Sequence, residues 1–199
     1  MTIFNPDGKI VQMLSKLGDL ITISLLWIVA SIPVLTIAPA TSAMYDAVDL
    51  CINNETGTIT KVFWKAFRGN LRFGMAISAS LVATYLLIAL DLYLVYRGQK
   101  VAVFSVGLAW CLIAVAAAIM VWGLTVCCYH AKFQDPPKRV MKNCVLICLS
   151  NLPQMLFCLV VLAVAFALVS WQPVALLIVP ALAMVPISLC FDKMFRKYT

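Results

Sequence analysis

Charge is what this sequence has least of. Only 12% of its 199 residues are Asp, Glu, Lys or Arg, about half the share of an ordinary soluble domain. It has one histidine and no His-Glu-x-x-His, Gly-x-Ser-x-Gly or Gly-x-x-x-x-Gly-Lys-[Ser/Thr] pattern. The familiar metallohydrolase, serine-hydrolase and phosphate-loop chemistries are therefore excluded, and acid–base catalysis by imidazole has a single side chain to draw on. No polar stretch is long enough to form a soluble domain. These absences point away from an enzyme, with no catalytic residue and no cofactor to assign.

What is abundant is apolar: 64% of the chain is hydrophobic, with a mean hydropathy of +1.01. Too few polar residues remain to cover a core in water, and uncharged runs of bilayer length recur from end to end, so lipid is the solvent. The expected fold is an all-α polytopic transmembrane helical bundle in one integral membrane domain, 1–199. The net charge of +7 sits in short clusters between apolar runs. That pattern selects a lipid bilayer with anionic headgroups as counterpart and not nucleic acid.

Breaks in charge and the positions of proline place five spans at about 20–38, 73–96, 101–128, 150–170 and 174–190. Short surface helices are expected at about 9–17, 42–52, 60–72 and 134–148. The clearest is 60–72, where Lys61, Lys65, Arg68 and Arg72 form one stripe and Phe63, Trp64, Phe67 and Leu71 are apolar. Asp46 and Asp49, three residues apart, mark the polar face of the second. Five spans put eleven cations on one side, against Lys9, Lys16, Arg97 and Lys100 on the other. Positive residues favour the cytosol, so the N-terminus is expected outside and the C-terminus in the cytosol. Pro33 and Pro39 in span one equally suit a re-entrant segment that leaves the N-terminus inside.

Three features could carry chemistry. Cys144 and Cys148 share a helix face and could approach Cys127, Cys128 and His130 as a metal site, although membrane cysteines more often serve as small apolar packers, and no metal is assigned. Asp91 is the one ionisable residue placed well inside a predicted span and is a candidate proton or cation site; the plainer reading is that it reaches the outer interface or hydrogen-bonds to a neighbouring helix. Small residues four apart, such as Gly74 and Ser78, suit close helix packing.

The strings Leu25-Leu26-Trp27, Ile32-Pro33-Val34-Leu35-Thr36-Ile37-Ala38-Pro39-Ala40-Thr41 and Phe63-Trp64-Lys65-Ala66-Phe67-Arg68-Gly69-Asn70 together resemble the YesL-like membrane proteins of Gram-positive bacteria. Ala38 departs from that pattern, which has glycine there. The resemblance extends over the whole chain. It implies a bacterial cytoplasmic-membrane protein often encoded beside carbohydrate-uptake or polysaccharide-utilisation genes, with no established molecular activity. The expected role is an accessory or assembly subunit of a carbohydrate uptake system, with a sugar permease or a second copy as partner. The alternative is a small transporter or channel acting alone or as an oligomer, drawing on a broken span one, Asp91, Pro180 and Pro186.

Overall fold

A computed structural model describes residues 9–53, 57–97, 102–133 and 135–196, and every element in them is helical. Lys100, Lys197 and the polar residues 54–56 lie outside the described residues.

The first helix, α1 (Lys9–Ser31), is continuous. The surface helix expected at 9–17 is thus the first part of the same element, and the span ends at Ser31 instead of 38. Pro33 ends it, because a residue before proline is pushed out of helical geometry and proline has no N–H to donate. A single turn, Val34–Thr36, then reverses the chain. Its backbone is satisfied locally: the Thr36 N–H donates to the Pro33 carbonyl at 2.8 Å, and the Thr36 hydroxyl donates to the Ala30 carbonyl at 2.6 Å. Lipid offers no substitute for such bonds.

The chain returns as α2 (Ile37–Ala47), extended by a π-helical turn, Val48–Asn53. This corrects the expected surface helix 42–52. Eight residues of α2, among them Pro39, Ala43 and Tyr45, are buried, and the segment is the centre of the bundle. Its partner is α3 (Ile59–Arg97), whose 39 residues also merge the expected surface helix 60–72 with span two. At 1.5 Å per residue α3 is roughly 58 Å long, about twice a hydrocarbon core. Its basic first third therefore projects beyond the hydrocarbon.

The contact between α2 and α3 depends on residue size. A Cβ on Gly74 would stand 2.6 Å from Pro39 Cδ and 2.8 Å from Pro39 N, so only glycine allows this approach. Next to it the Ala38 N–H, one of the unpaired donors of the first turn of α2, donates to Ser78 Oγ at 2.9 Å. The cap of α2 is thus supplied by another helix.

Helices α4 (Ala102–Lys132), α5 (Pro137–Ser150), α6 (Leu152–Trp171) and α7 (Val179–Phe195) complete the bundle. The pair α3 and α4 is antiparallel, with Tyr85 Oη donating to the Ala116 carbonyl at 2.9 Å and Phe73 against His130 at 4.1 Å. Among the described residues four helical stretches are long and apolar enough to cross a membrane: Leu14–Ser31, Ile59–Leu94, Gly107–Lys132 and Leu152–Trp171. The expected fifth span, 174–190, is not one of them. A 3-10 turn takes Pro173–Leu177, and α7 keeps 17 residues.

The start of α1 and the end of α7, expected at opposite ends of the bundle, lie at one end. Ser24 of α1 meets the start of α7, its hydroxyl accepting from the Ala181 N–H at 3.2 Å. Asp19 lies near enough to Cys51 for its charge to be felt there, and Asn53 two residues on donates to Ser188 Oγ at 2.8 Å. Hence α1 and α7 are antiparallel, and the start of α1 lies at the same end as Phe195. Because 37–53 turns back, Lys16 joins Lys61, Lys65, Arg68, Arg72, Lys132 and Lys193 at one cation-rich end, while Arg97 stands at the other, over the Tyr93 ring at 5.8 Å.

Candidate functional site

The cation-rich end is built from three features. The first is the stripe Lys61, Lys65, Arg68 and Arg72, all exposed on α3. The opposite face is buried through Phe63, Phe67 and Asn70, and Trp64 sits edge-on to both phenylalanines at 6.0 and 5.5 Å. None of the four cations forms an ion pair with another described residue.

The second is a polar junction between α2, α4 and α7. Lys132 pairs with Asp192. Asp49 hydrogen-bonds to Asp192 and to Asn53, and Asp46 and Asp49 both feel the charge of Lys132. Burial, then repulsion from Asp49, pushes the Asp46 carboxyl up to about 7 against the pull of Lys132. Asp49 is raised as well, by burial and by the charge of Asp192. Carboxylates gathered with one ammonium in a partly dry setting cannot all ionise freely. Beneath them Tyr45 is 1% exposed, and its hydroxyl has no hydrogen-bond partner among the described residues.

The third feature ties α5 to α4. Asn143 donates to Tyr129 Oη at 2.9 Å, Tyr129 Oη donates to Asp135 Oδ2 at 2.9 Å, and Arg139 lies 3.5 Å from Asp135 Oδ1. The rings of Tyr129, Phe133 and Phe195 pack on one another at 4.9 to 5.8 Å.

The residues singled out in the sequence fall differently. Cys127 and Cys128 of α4 and Cys144 of α5 are buried, and Cys148 Sγ donates to Thr125 Oγ1 at 3.5 Å. Burial pushes the Cys144 thiol up, which disfavours the thiolate that binds metal. His130 stacks on Phe73. Among the described residues no group of three His, Cys, Asp or Glu side chains is arranged to hold an ion. Asp91 is exposed on α3, toward the end that carries Arg97.

A half-open cavity of about 460 Å³ lies between the α1–α2 corner, α3, α4, α6 and α7. Its floor is buried, with Met44, Cys127, Met184 and Ile187, and its mouth is exposed, with Val34, Phe166 and Leu176. No local pattern predicts it, because it forms where helices distant in sequence diverge. Asp46, Asp49, Lys132 and Asp192, by contrast, did leave a signal as isolated charges at the ends of apolar runs.

These features define a membrane-embedded, multi-pass helical protein. A family model described as a protein of unknown function, DUF624, matches residues 20–92, which are the second half of α1, all of α2 and α3 almost to its end. That stretch includes the Pro39–Gly74 approach and the basic stripe. No curated protein and no solved structure matches the chain.

Proposed function

We propose that this protein is a non-enzymatic accessory or assembly subunit of a carbohydrate uptake system in the bacterial cytoplasmic membrane, with the cation-rich end in the cytosol. The observation that carries the docking part is the basic stripe of α3. Four cations stand exposed in one row on a helix whose opposite face is fixed by Phe63, Phe67 and Asn70. A rigid row of charge that the rest of the described chain leaves unpaired is a preformed surface for an acidic partner or for anionic headgroups. The cytosolic placement follows from the concentration of cations at that end. The carbohydrate link comes from the resemblance of the chain to YesL-like proteins.

The transporter reading has less support. It rests on Asp91, which lies on an exposed face of α3, on the prolines of α7, of which Pro180 borders an apolar cavity, and on a break in span one, which is present at Val34–Thr36 but borders the same apolar cavity. A polar solute needs polar groups along its path.

The test is crosslinking in native membranes of carbohydrate-grown cells, followed by affinity purification in mild detergent and mass spectrometry. A sugar permease in stoichiometric amount, lost when Lys61, Lys65, Arg68 and Arg72 are all changed to Glu, is the expected result. Recovery of the protein alone or only with itself removes the proposal.

A further inference from the structure

The cavity is set among spans, and the chemistry of its wall restricts what can fill it. The polar groups on its lining are already used inside the protein. Trp27 Nε1 donates to Thr41 Oγ1 at 3.3 Å, and the Thr41 hydroxyl donates to the Ile37 carbonyl at 2.8 Å. Ser78 Oγ accepts from the Ala38 N–H, and Tyr85 Oη donates to the Ala116 carbonyl. The remaining wall is Leu, Ile, Val, Met, Phe, Ala and Pro, with Gly123 and Cys127. A site that recognised a polar ligand would present unsatisfied donors or acceptors to orient it. This wall presents hydrocarbon.

Its position adds a second constraint. The mouth is framed by the turn at Val34, the turn at Leu176 and Phe166 of α6, exposed by 55%, 37% and 75%. Both turns are free of charge, and Phe166 is on a stretch long and apolar enough to span a membrane. The cavity thus opens toward lipid. Its volume of about 460 Å³ falls within the roughly 300–1,000 Å³ usual for small-molecule sites. An empty void of that size would leave its wall without dispersion partners on one side.

We propose that this cavity is a binding site for one hydrocarbon chain of a membrane lipid, entering between the α1–α2 corner and α6 and ending on Met44 and Met184. A chain moving from bilayer to cavity exchanges one apolar medium for another, so selectivity rests on shape and packing. The inference is independent of the role proposed above: a lipid chain can be held whether or not a permease docks.

The experiment uses the full chain in vesicles of phosphatidylcholine and phosphatidylglycerol containing a phospholipid with a diazirine at the end of one acyl chain. After irradiation, adducts are mapped by mass spectrometry. The expected result is labelling of Met44 and Met184, which are 5% and 2% exposed, together with the outward-facing Leu86 and Leu87. Filling the cavity with Ala165→Phe and Ala183→Phe should lower labelling of the two methionines at least about tenfold by replacing the ligand with side-chain volume, leaving Leu86 and Leu87 unchanged. Adducts confined to outward-facing residues in the unmodified protein would overturn the proposal, whatever the variants do. So would labelling of the methionines by a small free apolar diazirine but not by the lipid-borne one, which would assign the cavity to a free apolar molecule.

Discussion

The two ends of this bundle are held together in different ways. At the cation-rich end, α2, α4, α5 and α7 are joined by the Lys132–Asp192 pair, the Asn143–Tyr129–Asp135 chain and a cluster of aromatic rings. At the opposite end α3 and α6 present exposed leucine, valine and phenylalanine, and the space between helices is an apolar cavity. Polar bonds are directional and specify one arrangement, whereas apolar helix contacts in lipid are interchangeable with lipid contacts. One end therefore sets the geometry and the other can accommodate hydrocarbon. The α2 segment links them, starting at the cavity wall with Ala38 and ending in the carboxylates of Asp46 and Asp49.

The largest effect should come from breaking that link where it is tightest. Gly74→Ala places a methyl group 2.6 Å from Pro39 Cδ and 2.8 Å from its backbone nitrogen. Proline ring and backbone cannot step aside, so the loss should be about 3 kcal/mol, the upper part of the overpacking range. Unfolding in mixed micelles measures it. Gly107→Ala is the control: nothing lies within 4 Å of the added carbon, so it should not lower the midpoint and should raise stability by up to about 1 kcal/mol, the helix preference of alanine over glycine.

The polar end can be probed by pH. Asp46 has its carboxyl raised to about 7 by burial and by Asp49, with Lys132 opposing; Asp192, Tyr45 and Cys128 complete the titratable surroundings. A raised acid binds its proton more tightly in the folded state. Its contribution to stability is therefore complete below the unfolded value near 3.8 and is lost as pH rises through about 7. Asp49, raised in the same direction, adds to the trend. The protein should be more stable at pH 5 than at pH 8, by on the order of 2 kcal/mol. Asp46→Asn should flatten most of that slope in thermal melts, and an unaltered slope would remove Asp46 as its source.

How much of this was readable beforehand depends on whether the deciding contact was local. The helical class and four of the spanning stretches follow from charge-free runs, and the amphipathic face of 60–72 follows from spacing; both are properties of neighbouring residues. Gly74 and Ser78 were recognisable as a small-residue pair for close packing, but the helix they receive was not, because 42–52 has the polar spacing of a surface element. Asp46 and Asp49 meet Lys132 and Asp192 from α4 and α7, contacts made across more than 80 residues of chain. Once α2 is taken as buried, the chain reverses once more and the start of α1 changes ends. Five full crossings put the start of α1 and the end of α7 at opposite ends, and the buried α2 brings them to one end, a path that Pro33 and Pro39 leave open in the sequence. The cysteines show the converse: Cys127, Cys128 and Cys144 do come near one another, yet as buried thiols within the packing.

Two smaller substitutions sharpen the contrast between the ends. Ser78→Ala removes the acceptor of the Ala38 N–H and leaves a buried donor unpaired, which costs about 1–2 kcal/mol. Ser78→Thr keeps a hydroxyl and should recover part of it, a difference that a purely steric role would not produce. Asp91→Asn should do least. Asp91 is exposed on α3, far along the helix from the Pro39 contact and from the polar junction, and no hydrogen bond or ion pair holds it to another described residue. Its replacement should change stability by less than about 0.5 kcal/mol, as for a surface site. A larger loss in the same micelle assay would mean that the uncharged end carries a polar contact of its own, and that the two ends differ less than their packing indicates.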